Sequence, residues 1–361
     1  MQEPVLNTAS PDTPVRIAID AMGGDKAPDI VIRGAALAVA EAPQAEWLLV
    51  GDEAQLAPLV SRHMAAAKVK IIHTDAVVGA DEKPSAALRS GKTSSMRLAI
   101  DLVKQGKADA VVSAGNTGAL MVMALMVLKS MEGIDRPAMA AHLPTQRGRT
   151  CMLDLGATID CSADHLVQFA LMGHAFARVT SDLVSPSIGL LNVGEEEQKG
   201  NTVVREASAK LAALSIINYV GFIEGDDITS GAVDVVVTDG FTGNVALKTA
   251  EGTARFIRQL IRDSFQSSLV SRLGYLLSRS SMNMLRQRLD PQRYNGAVFL
   301  GLNGIVVKSH GGADARGFAN ALGVAINMHH HGFISDLKSS VEASVRTLET
   351  VDADKPLESI A

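Results

Sequence analysis

Six stretches of the chain set glycine beside Asp, Asn, Thr or Lys within a few residues: Asp20–Asp25, Ser113–Gly118, Asp154–Asp160, Val193–Asn201, Asp239–Asn244 and Lys308–Asp314. Grouped this way, such residues offer backbone N–H donors, hydroxyls, amides and carboxylates on tight turns, a chemistry that suits phosphate or a developing oxyanion. The sharpest is Asp239-Gly240-Phe241-Thr242-Gly243-Asn244, which directly follows four β-branched residues, Val235–Thr238. That order reads as a buried strand, a glycine turn and a helix start. The carboxyl end of a strand is where open α/β sheets bind ligands, and a helix N-terminus with glycine neighbours accepts an anion. An ordinary βα turn capped by Asp and Thr has the same local pattern; recurrence is what separates the two readings. Gathered at one sheet edge, the turns would line a cleft, with Gly23, Gly24, Asp25, Ser113, Asn116, Thr117, Asp154, Gly156, Asn201, Asp239, Thr242, Gly243 and Lys308 as candidate ligand contacts.

Lys199 is the most pointed cation. It follows Glu195, Glu196 and Glu197 and precedes Gly200-Asn201, a helix start. There an ammonium can hold phosphate or neutralise an oxyanion; paired with Glu195 or Glu196 it is a solvated surface lysine. Other chemistries lack their residues. There is no P-loop, and Gly23-Gly24-Asp25 is not a dinucleotide fingerprint. His329-His330-His331 precede Gly332 and suit a helix C-terminus better than a metal. Cys161 has no nearby base in sequence, and Cys151 sits in a strand-like run. Neither metal nor cofactor is expected.

The elements that must carry these turns alternate. Strands are expected at 15–20, 47–50, 69–73, 109–113, 138–143, 150–155, 187–192, 218–224 and 235–238, with helices between them and a long mobile loop over 76–93. This pattern predicts a mostly parallel sheet with helices on both faces. With 361 residues, 47% of them hydrophobic, the chain can bury a large core. Its net charge of −5 gives no argument for nucleic acid. Two cysteines make no disulfide framework and fit a reducing cytoplasm. The first 14 residues have neither a basic start nor an apolar core, so they are not expected to be a signal peptide. Ala110–Leu128 is uncharged, but its Ser, Gly, Asn and Thr favour a strand–turn–helix over a membrane span.

Residues 253–293 depart from the alternation. They read as helical and hold eight Arg, no Lys and two acids, a local charge of +6. Phe265, Leu269, Leu273, Leu276 and Leu277 fall on one helical face, flanked by Arg272 and Arg279, with Arg286 and Arg288 further on. This basic amphipathic hairpin suits an acidic protein, anionic lipid or a second copy of the chain. The expected organisation is a flexible tail over 1–14, an α/β core over 15–252 and 294–348, the hairpin over 253–293 and a tail over 349–361.

Taken in order, IDAMGGD (19–25), SAGNTGAL (113–120), LLNVGEEEQKGN (190–201), FIEGDDI (222–228), TDGFTGNV (238–245) and NGAVFLGLNGIVVKSHG (295–311) resemble the bacterial phosphate acyltransferases of phospholipid synthesis, over nearly the whole chain. One departure is visible: the family's LDLGAN is LDLGAT here, with Thr158 in place of the amide. The resemblance implies a core like that of phosphotransacetylases and isocitrate dehydrogenases. It also implies transfer of a long fatty acyl group from acyl carrier protein to inorganic phosphate. The acyl phosphate would pass to a membrane glycerol-3-phosphate acyltransferase. A homodimer that is cytoplasmic and touches the inner face of the cell membrane through the hairpin is implied as well. Phosphate is already an anionic nucleophile, so no triad is required; Lys199 is expected to bind it and neutralise charge, and Asn244 to polarise the thioester carbonyl. Two other readings stand beside this one: a phosphotransacetylase using short acyl-coenzyme A, and a non-catalytic acyl-carrier or membrane docking module.

Overall fold

A computed structural model describes residues 14–282 and 291–353. Arg286 and Arg288 lie outside the described residues. In chain order the elements are β1 (Arg16–Asp20), α1 (Asp29–Glu41), β2 (Glu46–Gly51), α2 (Glu53–His63), β3 (Lys68–His73), α3 (Pro84–Ser90), α4 (Ser95–Lys104), β4 (Ala110–Ser113), α5 (Thr117–Leu128), β5 (Ala138–Thr145), β6 (Gly148–Leu153), α6 (Ala163–Ser181), β7 (Ser187–Leu191), α7 (Thr202–Ala212), β8 (Asn218–Ile223), α8 (Asp227–Ser230), β9 (Val235–Val237), α9 (Gly240–Gln266), α10 (Leu269–Leu277), β10 (Ala297–Leu300), β11 (Ile305–Lys308), α11 (Ala315–His330) and α12 (Phe333–Ala353). The described strands form one sheet, ordered β3-β2-β1-β4-β11-β10-β5-β6-β9-β7-β8.

The sheet is mostly parallel, as the alternation predicts, but it consists of two parallel halves that run in opposite directions. β10 is antiparallel to both β11 and β5, and β5 is antiparallel to β6. The reversal sits at Gln146-Arg147, because only a hairpin lets so short a turn join neighbouring strands. The carboxyl ends of β1, β4 and β11 therefore open on one edge of the sheet, called here the first edge. Those of β6, β7 and β9 open on the opposite, second edge. The expectation of a single edge is corrected on this point: the six turns divide three and three.

Side-chain alternation covers both faces. Ile17, Ile19, Val112, Val307, Leu153 and Val235 face the larger core, packed by α1, α6 and α11. On the other face Ala18, Val111, Val306 and Phe299 meet α4 and α5, while Met152 and Val236 meet Ile228 and Ala246 and Leu247 of α9. Met139 packs with both of these groups and so floors the gap between α5 and α9. Asp20, Ser113 and Lys308 are each two residues beyond a member of this second face, so their side chains belong to it.

The 76–93 segment is not a bare loop. It contains α3, Thr74 Oγ1 donates to the Thr93 carbonyl at its base, and Glu82 accepts from Ser90. Helix α9 runs through residue 252 without a break, so the expected boundary there falls inside one helix. Ser268 caps α10, and Phe265 meets Tyr275 edge-on at 5.4 Å. Leu269, Leu273, Leu276 and Leu277 are 58–83% exposed, and Arg272 and Arg279 are exposed beside them. Among the described residues no helix is long and apolar enough to cross a membrane.

Candidate active site

At the second edge the loop after β6 is organised by Asp154. Its fully buried carboxylate accepts from the backbone N–H groups of Met139, Gly156, Ala157 and Thr158 at 2.6–3.1 Å. Burial pushes this carboxyl up and the four donors pull it down, with burial the larger effect. The first turn of α9 lies directly against the loop. Gly240 N donates to the Thr158 carbonyl, and Asn244 Nδ2 donates to the Leu155 carbonyl at 3.0 Å. A Cβ on Gly243 would sit 1.9 Å from the Asp154 carbonyl oxygen, so only glycine permits this approach. Asn244 retains its second amide N–H, since one of two is used.

The other candidates at this edge divide. Asp239 caps α9, accepting from Thr242 N at 2.8 Å and from the Thr242 hydroxyl at 2.7 Å. Asn201 caps α7 through Val204 N. For these three the capping reading holds. Lys199 is exposed, and no ion pair to Glu195 or Glu196 forms; its stem passes over Gly194, and Asn192 Nδ2 holds the loop by donating to the Gly194 and Lys199 carbonyls. β7 and β9 are adjacent strands, so the turns bearing Lys199 and Asn244 are neighbours. Thr158, the departure from the family pattern, donates its hydroxyl to the Pro137 carbonyl at 3.1 Å.

The first edge is a buried network. The Asp20 carboxylate accepts from the Ser95 and Ser113 hydroxyls, both at 2.6 Å. Lys308, 8% exposed, donates to the Ala114 carbonyl at 3.4 Å and to its neighbour Ser309. Burial lowers its pKa to about 8 against the pull of Asp20 and Asp25. Gly23 packs on Asp20, with a Cβ position 2.5 Å from Oδ2, and Gly24 takes φ +109 beside Ala114 and Gly311. Asp25 N donates to the Gly311 carbonyl. Asn116 caps α5 and spends its amide on the Ala80 and Glu82 carbonyls, which ties down the α3 segment. Thr117 opens α5 and is exposed.

Among known proteins, the chain matches a family model described as fatty acid synthesis protein over residues 15–336. It is 54% identical over 346 residues to the phosphate acyltransferase of Rhodospirillum centenum, covering 93% of this chain and 98% of that one. It is 51% identical to the phosphate acyltransferase of Azorhizobium caulinodans, covering 94% and 98%. The chain belongs to the phosphate acyltransferase family. It is an acyltransferase enzyme, which removes the docking-module reading.

Solved structures share the fold. A phosphotransacetylase from Streptococcus pyogenes superposes with a TM-score of 0.60 at 20% identity, covering 88% of this chain and 94% of that one. A phosphotransacetylase from Staphylococcus aureus gives 0.58 at 16% identity, with the same coverages. In this chain the two parallel halves are joined through β10 and β5. Sequence reasoning did not single out Ser95 or Asn192. Ser95 is an isolated polar residue in a helix that no local pattern marks, while Asn192 stands inside the quoted LLNVGEEEQKGN run at the end of β7.

Proposed function

We propose that the protein transfers a long-chain fatty acyl group from acyl carrier protein to inorganic phosphate, giving an acyl phosphate for phospholipid synthesis. The observation that supports this most directly is the 54% identity to a phosphate acyltransferase over 93% of the chain. The site adds to it. A phosphate oxygen attacks the thioester carbonyl, the C–O bond forms, the C–S bond breaks, and the sulfur leaves as a thiol after taking a proton. Nothing in this step needs an enzyme nucleophile; it needs two reactants held in line and the charge on the oxygen stabilised. Lys199, unpaired and exposed beside the α7 start, supplies positive charge to the phosphate. The second N–H of Asn244, on an amide fixed by Leu155, is the donor for the carbonyl oxygen.

The partners follow from the same reading: acyl carrier protein as donor, a second copy of the chain, and a membrane glycerol-3-phosphate acyltransferase as consumer. The exposed leucines of α10, with Arg272 and Arg279, are the proposed contact for a membrane surface or the carrier. The deciding experiment traps acyl phosphate with hydroxylamine, using purified protein, phosphate and palmitoyl–acyl carrier protein, with acetyl-coenzyme A as the competing donor. Product that needs both phosphate and the carrier-bound chain supports the proposal. Product from acetyl-coenzyme A alone turns the protein into a phosphotransacetylase.

A further inference from the structure

Lys199 stands on a loop that two side chains close from opposite sides. Asn192, the residue after β7, is tied to the sheet by its own N–H, which donates to the Ile223 carbonyl at 2.9 Å. Its Nδ2 donates to the Gly194 carbonyl at 3.1 Å and to the Lys199 carbonyl at 3.2 Å. Its Oδ1 lies against Gly200, which takes φ +83 and leaves no room for a Cβ. From the other side Arg205 reaches back from α7. Its Nη1 donates to the Gln198 carbonyl at 3.3 Å and to the Gly200 carbonyl at 2.9 Å.

Two consequences of this closure bear on phosphate. An anion is repelled by bare carbonyl oxygens and drawn to N–H groups and cations. Here the carbonyls of Gly194, Gln198, Lys199 and Gly200 are all taken up by donors from Asn192 and Arg205. The lysine is also held off its own glutamates. Lys199 N donates to the Glu196 carbonyl at 2.9 Å. The Lys199 stem and the Glu196 carboxylate both rest on Gly194, where a Cβ would come 3.0 Å from Lys199 Cγ and 2.8 Å from Glu196 Oε2. Yet among the described residues Lys199 forms no ion pair. An exposed lysine–glutamate pair is worth only about 0–1 kcal/mol, so a fixed backbone is enough to keep the ammonium out of one.

We infer that Asn192 and Arg205 are positioning residues for Lys199: together they fix the 193–201 loop so that the ammonium meets phosphate in one orientation. This rests on the reading that gives Lys199 the phosphate. Neither residue touches the reacting atoms; each holds the backbone from which the lysine extends. Orientation carries large factors, since a misplacement of about 1 Å costs up to about 100-fold in rate.

The test compares wild type with Arg205→Ala, Asn192→Ala, Lys199→Ala, and Lys199→Ala combined with Arg205→Ala. Two quantities are read: KM for phosphate and for palmitoyl–acyl carrier protein in the hydroxylamine assay, and the dissociation constant of inorganic phosphate by calorimetry, which needs no turnover. Arg205→Ala and Asn192→Ala are each expected to raise both phosphate constants about tenfold or more. The carrier-protein KM stays within about twofold, and the circular dichroism spectrum is that of wild type, a split that general loosening of the fold would not give. In the combined variant Arg205→Ala is expected to add less than about twofold to the loss from Lys199→Ala, because a positioning residue has nothing to act through once its lysine is gone. Losses that multiply overturn the inference and make Arg205 a direct contact of the anion. Phosphate constants within twofold of wild type in Arg205→Ala overturn it too; this side chain is exposed, so its variant is decisive even if Asn192→Ala does not fold. A Lys199→Ala that binds and uses phosphate like wild type removes the role of Lys199, and the role of the clamp falls with it. An impaired Lys199→Ala beside an unimpaired Arg205→Ala removes the clamp alone.

Discussion

The two edges of the sheet use the same kind of turn to different ends. At the first edge the polar groups are sealed in: Asp20, Ser95, Ser113 and Lys308 are all at least nine-tenths buried and bonded to one another or to backbone. At the second edge the one buried acid, Asp154, serves its own loop, while Lys199 stays exposed and Asn244 half-buried with a donor to spare. The difference teaches that a glycine–polar turn is not by itself a site. Whether its side chains are available depends on whether the turn itself consumes them: backbone N–H groups take up Asp239, Asn201 and Asn116, and the Asp239 carboxylate takes up the Thr242 hydroxyl.

The sharpest way to break this contrast is Asn244→Ala. If the second edge holds the reacting carbonyl, kcat falls about 100- to 1000-fold while the protein stays folded by circular dichroism. Lys199→Ala should reduce turnover as well, and near-normal kcat in both variants would move the chemistry away from this edge.

Next in size is Gly243→Ala, whose new Cβ would meet the Asp154 carbonyl at 1.9 Å. The backbone on both sides has to shift, and a loss of about 3 kcal/mol is expected in denaturant unfolding. Gly252→Ala is its control: nothing lies within 4 Å of the new atom inside the same helix, so a gain of about 0.5–1 kcal/mol is expected. On the first edge, Ser113→Ala removes one of the two hydroxyls on the buried Asp20 carboxylate and is expected to cost about 1–3 kcal/mol. Removal of a half-buried cap on the second edge, Asp239→Ala, is expected to cost only about 1 kcal/mol. Equal costs for these two would erase the distinction between a sealed and an open edge.

A further effect is one of pH. Lys308 is lowered from the ordinary lysine value to about 8 in the fold, with Asp20, Asp25 and Lys248 facing it. Between about 8 and that ordinary value the unfolded chain holds the proton and the folded protein does not. The unfolded state then binds more protons, so stability rises with pH across this window through Lys308. The rise should be smaller in Lys308→Met, measured as the difference between the two unfolding midpoints over pH 7.5–10.

Much of the fold was legible because its strands announce themselves. Val235–Val237 is a buried, β-branched run between a turn and a helix, and Ala110–Ser113 and Ile305–Lys308 behave alike. Turn positions were legible too, since glycine with Asp or Asn marks a strand end whatever the strand's direction. Asp239 was readable as a cap and Asn201 as a helix start, and both cap; Asn116 and Asp314 prove to be caps as well. Less was legible of what the side chains do. Ser95 stands in a helix with no local signature and matters only through a partner distant in sequence, Asp20.

The sequence by itself determined the α/β alternation, the places where polar turns interrupt it and, through long matched motifs, the family. These rest on local chemistry: side-chain periodicity, glycine's backbone freedom and the capping power of Asp and Asn. Only the tertiary structure decided that the turns fall on two opposite edges, because strand direction is set by the hairpin at Gln146-Arg147, by the return hairpin between β10 and β11, and by pairing between residues as far apart as Ala110 and Ile305. It also decided which polar groups are consumed by the backbone and which remain free, since burial and partnership are properties of the packed sheet and not of any stretch of chain.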